Sequence, residues 1–365
     1  MQNKFSDDMK NVLVTGGAGF IGGALIRNLL INTRMKIFNL DKLGYSSDLT
    51  SINLLLNQTK DLNKRYEFLK VDLNNEKEIE EAIKIADPDL VFHLAAESHV
   101  DRSIDNPKNF ILSNIIGTFN LLNQVRSHWE KLSPNRKNFF KLHHISTDEV
   151  FGSLTTKKDL FSEETPYSPR SPYSASKASS DHLVNAWHHT YGLPVIVTNC
   201  SNNFGPWQFP EKLIPLVILK ALKHESIPVY GRGENIRDWL FVEDHVEAIL
   251  LLASKAKAGS NYCIGCSQEY KNIDIVRKIC QILDKLKPYK KPYSNLISFV
   301  EDRPGHDLRY GINPAKIKNH FGWDSKYNFI ESLEITVKWY LDNLDWCKKI
   351  VSKSGYIGQR LGKKI

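Results

Sequence analysis

Asn11-Val12-Leu13-Val14-Thr15-Gly16-Gly17-Ala18-Gly19-Phe20-Ile21-Gly22 is the stretch on which the fold turns. An apolar, β-branched run gives way at once to a glycine turn, and apolar residues then recur at helical spacing over residues 24–30. Strand, glycine turn and helix form the context in which such glycines bind a dinucleotide. Gly16 permits the tight turn, Gly19 lets the backbone approach a pyrophosphate, and Gly22 lets the helix pack closely on the strand. The helix start offers free N–H groups and a positive dipole end to the phosphates. A second strand-like run, residues 35–40, ends in Asp41, nineteen residues beyond Gly22. A carboxylate there accepts hydrogen bonds from ribose hydroxyls and repels a 2′-phosphate, which selects NAD over NADP.

Working outward, residues 45–65 are polar with one amphipathic stretch, expected to form a helix and loop over the adenine side. Residues 66–71 read as a strand ending in Asp72, which can face the adenine, and 76–86 as an amphipathic helix. Residues 89–96 read as a buried strand whose final Ala95 and Ala96 leave room for the cofactor. Residues 109–125 suggest a long helix, and 139–145 a further strand. This alternation predicts an α/β protein with a Rossmann-type doubly wound parallel sheet and a smaller mixed α/β substrate-binding lobe. The expected division is 1–200 for the NAD-binding domain, rejoined by about 235–265. The lobe takes 201–234 and 266–350, leaving 351–365 as a C-terminal tail.

Composition sets limits on the rest. The 365 residues are 41% hydrophobic and 25% charged, ordinary for a globular chain with a sizeable core. The net charge of +8 comes from scattered lysines, with no basic block before the short tail at 359–364. A nucleic-acid binder would cluster basic residues with aromatics between them, so no nucleic-acid partner is expected. The five cysteines are odd in number and irregularly spaced, which argues against a disulfide framework. Cys263-Ile-Gly-Cys266 lacks a second pair for zinc and lies in a strand-like run, so two buried thiols are expected. The pairs His143-His144 and His188-His189 show no ligand spacing, and no metal is expected. The first ten residues lack a signal-peptide core, and no apolar run is long enough to cross a bilayer. The expected location is the cytoplasm, with no membrane partner.

The chemistry gathers at two places. Ile145-Ser146-Thr147-Asp148-Glu149-Val150 puts a hydroxyl and two carboxyl groups where a strand ends, and open α/β sheets bind ligands at the carboxyl ends of their strands. Ser171-Pro172-Tyr173-Ser174-Ala175-Ser176-Lys177 then opens a helix. Tyr173 and Lys177, four apart, share one face. A free tyrosine titrates near about pH 10, but a neighbouring ammonium and a positive nicotinamide ring would favour the phenolate. That phenolate can take a proton from a sugar hydroxyl as hydride leaves for NAD. The adjacent acids suit elimination of water, which needs one protonated and one ionised group close together.

These residues carry a resemblance. Gly16–Gly22, Leu94-Ala95-Ala96-Glu97-Ser98-His99-Val100-Asp101, the Ser146–Val150 segment, Tyr173–Asp181, Asn202-Asn203-Phe204-Gly205-Pro206, Pro210-Glu211-Lys212-Leu213-Ile214-Pro215, Arg237-Asp238-Trp239 and Asp302-Arg303-Pro304-Gly305-His306-Asp307 resemble the extended short-chain dehydrogenases/reductases, and within them the dTDP-glucose 4,6-dehydratase family. The likeness runs over nearly the whole chain. It implies oxidation at C4 of a nucleotide-activated glucose, loss of water across C5 and C6, and hydride return to C6. In that scheme Tyr173 is the C4 base, with Lys177 holding the cofactor ribose and lowering the tyrosine pKa. Asp148 is the acid, Glu149 the C5 base, and Thr147 bonds near the C4 oxygen.

The resemblance also implies cofactor contacts from Phe20, Ile21, Lys42, Leu73, Leu94, Ser98, Ser113 and Asn203. It implies substrate contacts from Ser98, Asn202, Lys212, Leu213, Pro228, Tyr230, Arg237, Asn272, Asp302, Arg303 and His306. Arg237 would grip a diphosphate as a bidentate fork, and the 302–306 loop would close over the nucleotide. A homodimer through helices near 109–125 and 173–187 is implied as well. Departures from the family pattern are Phe151 and Phe204 where tyrosines are common, Ser113 for a threonine, Gly44, and Arg232. Alternatives on the same fold are a UDP-glucose 4,6-dehydratase and a nucleotide-sugar 4-epimerase or decarboxylase. An epimerase needs no acid–base pair for water loss. A non-catalytic NAD-binding scaffold would lack Tyr173, Lys177 or the acid pair.

Overall fold

The computed structural model describes residues 5–156 and 158–356. The basic stretch at 359–364 lies outside them. Among the described residues twelve strands follow in chain order: β1 (Asn11–Thr15), β2 (Lys36–Asp41), β3 (Tyr66–Lys70), β4 (Leu90–His93), β5 (Lys141–Thr147), β6 (Val195–Cys200), β7 (Asn202–Phe204), β8 (Ile227–Tyr230), β9 (Ile236–Phe241), β10 (Ser260–Ile264), β11 (Glu269–Lys271) and β12 (Ile297–Val300). Seven of them form one parallel sheet in the order β10-β6-β5-β4-β1-β2-β3. The order reverses between β1 and β4, the point at which doubly wound sheets open a crevice for a dinucleotide. The inner strands β1, β4, β5 and β6 are buried along nearly their whole length because helices cover both faces. Val12 and Val14 face Leu25, Ile26 and Leu29 of the helix Phe20–Asn32 on one side. Leu13 and Val91 face Ile79 and Ile83 of the helix Glu76–Ala86 on the other.

A second core lies beyond β6. Here β11, β9 and β7 make a three-stranded sheet, and β8 pairs with β12. The helices Leu213–Leu222, Asn272–Leu286 and Phe329–Asp342 pack around Phe204, Trp239, Ile275 and Leu333. Leu344–Ser354 is also helical, so regular structure runs past the expected start of the tail at 351. From this lobe β10 returns to the edge of the large sheet beside β6.

Three elements differ from their sequence reading. Residues 134–139 form a short helix started by Pro134, so β5 begins at Lys141 and extends to Thr147. β4 stops at His93, short of the expected Ala96, because the chain leaves the sheet to line the cleft. The long helix expected over 109–125 is broken: Ile111–Ile116 is π-helical between Pro107–Phe110 and Gly117–Lys131. π segments are rare and concentrate at functional sites, and this one carries Asn114.

Candidate active site

One cleft crosses the carboxyl ends of the central strands. It runs from Gly16, Gly19, Gly22 and Asp41, past Asp72, Ala95 and Ala96, to Thr147, Asp148, Glu149, Tyr173, Lys177, Asn202 and Lys212. Phe20, Ile21, Lys42, Leu73, Leu94, Ser98, Ser113 and Asn203 line it too.

The glycine turn is dictated by space. Gly16 has φ +71°, and a Cβ there would sit 2.6 Å from Ala95 N. A Cβ on Gly22 would come within 2.2 Å of Gly16 O, so only glycine lets the helix begin this close to β1. At the tip of β2 the Asp41 carboxylate is nearly buried. It accepts from Leu43 N at 2.8 Å and Ser47 Oγ at 2.9 Å on Oδ1, and from Ala18 N at 3.1 Å on Oδ2. Those three donors fix its orientation, and Oδ2, which accepts only one of them, retains a lone pair for a ribose hydroxyl. The narrow glycine turn, the helix start and the held carboxylate fit NAD.

At the opposite end, Thr147 Oγ1 accepts from Glu149 N at 3.3 Å and donates to Asp148 Oδ1 at 3.3 Å, which caps the 3₁₀ turn Asp148–Phe151. This cap swings both acids out of β5 into the cleft. Asp148 is 1% exposed, and its Oδ2 has no hydrogen-bond partner among the described residues. Burial pushes its carboxyl well above the usual range, and the charges of Glu149 and Asp238 push it further. Burial also raises Glu149, but Arg303, Arg237 and Lys212 oppose the shift. The two acids therefore have separated proton affinities, as an acid and a base acting together require.

Tyr173 enters on the helix Pro172–Tyr191, started by Pro172 and a capping box between Ser171 and Ser174. Its phenol is pushed upward, first by burial and then by Glu149. Lys177 is not among the strongest influences on it, and the net shift is upward rather than the expected lowering. The Lys177 ammonium donates to Ile145 O at 2.9 Å, and its main attraction is to Asp181. A desolvated phenol close to a carboxylate stays neutral until further positive charge arrives. Asn114, on the π segment, ties this helix to the cleft wall. Its Nδ2 donates to Ser176 Oγ at 2.8 Å and Glu97 O at 3.0 Å, and its Oδ1 accepts from Glu97 N at 2.8 Å.

The remaining residues expected at a substrate, namely Leu213, Pro228, Tyr230, Arg237, Asn272, Asp302, Arg303 and His306, do not line the cofactor cleft. Several of them form a cationic wall behind the acids. Arg237, on β9, is 5% exposed, lies 4.1 Å over the Tyr310 ring and donates to Asp307 O at 2.9 Å. Arg303 Nη1 meets Asp101 Oδ1 at 2.7 Å, and Tyr230 Oη meets Asp101 Oδ2 at 2.9 Å. His306 Nδ1 lies 2.6 Å from Asp302 Oδ1. Lys212, the residue before the helix Leu213–Leu222, reaches Ser98 O at 2.9 Å. Asn272 opens its helix with a buried side-chain oxygen that has no partner among the described residues. Pro228 lies on β8 beside Tyr230.

Sequence reasoning missed Asp101 and Glu211. Glu211 accepts from Tyr45 Oη at 2.7 Å and Arg102 Nε at 2.8 Å, joining the two lobes at the cleft rim. Both acids stood inside segments that carried the resemblance, but nothing local reveals a partner in the other lobe.

A dinucleotide cradle that opens onto Tyr173 and Lys177 places the chain among the extended short-chain dehydrogenases/reductases. Residues 13–336 match the family model described as GDP-mannose 4,6 dehydratase. A dTDP-glucose 4,6-dehydratase of Neisseria meningitidis is 51% identical over 358 residues, 97% of this chain and 99% of the relative. The crystal structure of a dTDP-glucose 4,6-dehydratase from Bacillus anthracis in complex with NAD is 42% identical, with a TM-score of 0.80 over 93% of this chain and 99% of that one. That of a Streptomyces venezuelae dTDP-glucose 4,6-dehydratase, with NAD bound, is 36% identical, with a TM-score of 0.82 over 93% and 99%. The chain belongs to the dTDP-glucose 4,6-dehydratase family.

Proposed function

We propose that the protein is an NAD-dependent hydro-lyase that converts dTDP-glucose to dTDP-4-keto-6-deoxyglucose and water. The observation that carries the reading is the acid pair Asp148–Glu149 in the same cleft as Tyr173 and the dinucleotide cradle. NAD, when held here, would supply the hydride acceptor for C4 and the donor for C6, with C5 reprotonated as hydride returns. Tyr173 takes the proton of the C4 hydroxyl, with Thr147 bonded to the same oxygen. The resulting ketone acidifies the C5 proton, which Glu149 removes. Asp148, kept protonated by burial and by its acidic neighbours, gives its proton to the departing C6 hydroxyl. Lys212, Arg237 and Arg303 hold the diphosphate, and Tyr230 with Pro228 lines the base. Asp41 and the turn at Gly16–Gly22 hold the cofactor.

The chain acts as a homodimer in this reading, with the exposed Ile111, Leu112, Ile116 and Phe119 covered by a second copy. Its five cysteines are all free, which suits the reducing cytoplasm. Among the described residues no helix is long and apolar enough to cross a membrane.

The test is dTDP-glucose carrying deuterium at C4. Deuterium at C6 of a 4-keto-6-deoxy product supports the reading. A C4 epimer, or turnover of UDP-glucose in preference to dTDP-glucose, overturns it.

A further inference from the structure

Asp181 lies on the helix that carries Tyr173 and Lys177, four residues beyond the lysine and on the same face. The reaction scheme leaves it without a role. It is fully buried, and side chains from three other segments converge on its carboxylate. His144 Nε2, from β5, lies at 3.0 Å, Tyr167 Oη at 2.9 Å and Asn199 Nδ2, from β6, at 3.1 Å. Three donors around one carboxylate hold it ionised.

Lys177 is also buried, at 4% exposure, and its ammonium bonds to a neutral carbonyl, Ile145 O. A buried ammonium without a counter-charge tends to lose its proton. The acids of the cleft are not that counter-charge. Burial lowers Lys177, and of the charges that oppose this Asp181 is the strongest, followed by Cys200. Burial pushes the Cys200 thiol up to about 12, so it is neutral at physiological pH. The other titratable groups near the pair are neutral as well. Burial lowers His144 to about 4 and pushes His93, on β4, well below its usual value. Tyr167 stays a phenol, raised by burial and by Asp181 itself.

We propose that Asp181 is a positioning residue of the reaction: the counter-charge that keeps Lys177 an ammonium beside Tyr173, held in place by His144, Tyr167 and Asn199. Without that ammonium, the positive nicotinamide would be left to oppose burial and Glu149 at Tyr173, and C4 oxidation would slow. The inference rests on Tyr173 being the C4 base.

Asp181→Asn keeps the shape and one acceptor but removes the charge. The holoenzyme variant is assayed for kcat and KM against pH, with bound NAD and Tm measured alongside. The expected result at neutral pH is a kcat reduced roughly tenfold, about one pKa unit's worth, with KM and bound NAD unchanged. The bell-shaped profile should also narrow. Its rising limb, set by Tyr173, moves up, and its falling limb, set by Lys177, moves down. A profile scaled down with both limbs in place would reduce Asp181 to a structural tie and overturn the proposal. Tyr167→Phe removes one donor and keeps the carboxylate, so it covers the case in which Asp181→Asn does not fold. It should narrow the profile in the same direction by less, and unmoved limbs would also overturn the proposal. Tyr173→Phe tests the underlying reading separately. Full turnover in that variant would remove Tyr173 from the chemistry whatever Asp181 does.

Discussion

Burial raises both Glu149 and Asp148, but at Glu149 the charges of Arg303, Arg237 and Lys212 oppose the rise, whereas at Asp148, one residue earlier, Glu149 and Asp238 add to it more than Arg237 opposes it. Adjacent acids thus receive different electrostatic treatment from the charges around them. The division of labour predicts that Asp148→Asn and Glu149→Gln each slow product formation by about 10²–10⁴-fold, the usual worth of a general acid or base. Neither change touches the C4 hydroxyl. The double variant should therefore still oxidise C4 and accumulate NADH absorbance on adding substrate. A folded, substrate-binding double variant with no NADH signal would contradict these roles.

The same shift makes a prediction about stability. The folded-state pKa of Asp148 is raised, so native protein binds a proton more tightly than unfolded protein. Stability from this group is complete below the unfolded value, about pH 4, and is lost as pH rises toward the folded pKa. Asp148→Asn removes that loss, and the variant should melt higher than wild type near neutral pH. A gain of about 1 kcal/mol corresponds to roughly 2 °C in Tm for a domain of this size. The difference should vanish in thermal melts near about pH 4, where both forms carry a neutral group. A lower Tm at neutral pH would show that the charge on Asp148 is compensated in the fold.

Much of this arrangement was legible in the chain order. The glycine turn, Asp41, the Thr147–Glu149 strand end and the Tyr173–Lys177 spacing are local patterns, and local geometry dictates where each ends up. The second lobe was legible only through resemblance, because its contacts join distant residues. Arg303 and Asp101 are 202 positions apart, and Glu211 and Tyr45 are 166 apart. No periodicity encodes such pairings. The expected net lowering of Tyr173 beside Lys177 was not met, for a related reason. Spacing places two residues on one face, but it does not say that the ammonium turns to Ile145 O and answers chiefly to Asp181.

The Asp101–Arg303 pair carries a prediction about substrate affinity. Arg303 arrives on an irregular loop, and its 2.7 Å contact with Asp101 anchors it to the wall of the other lobe. Tyr230 Oη holds the second carboxylate oxygen, so Asp101 organises both the cation and the aromatic ring expected at the nucleotide. Asp101→Asn keeps the Tyr230 contact and weakens the hold on Arg303. KM for dTDP-glucose should rise about tenfold, equivalent to about 1.4 kcal/mol, while kcat at saturation stays close to wild type. A fall in kcat at unchanged KM would place Asp101 in the chemistry instead.

The last prediction concerns cofactor retention. The C-terminal helix Leu344–Ser354 crosses from the second lobe to the loop that follows Asp41. Trp346 Nε1 donates to Asp48 Oδ1 at 3.2 Å, and Lys353 Nζ donates to Ser47 O at 3.3 Å. Ser47 itself bonds Asp41 Oδ1 at 2.9 Å, so the helix braces the segment that orients the ribose-binding carboxylate. Because the cofactor is regenerated within each cycle, nothing in the reaction requires it to leave, and a brace over its adenosine end favours retention. Trp346→Phe removes the indole donor and keeps most of the packing against Trp207 and Trp339. The variant should lose NAD several-fold faster on dialysis, and added NAD should restore its turnover. An unchanged rate of NAD loss, measured from absorbance of the dialysed protein, would mean that the helix supports the lobe without holding the cofactor in place.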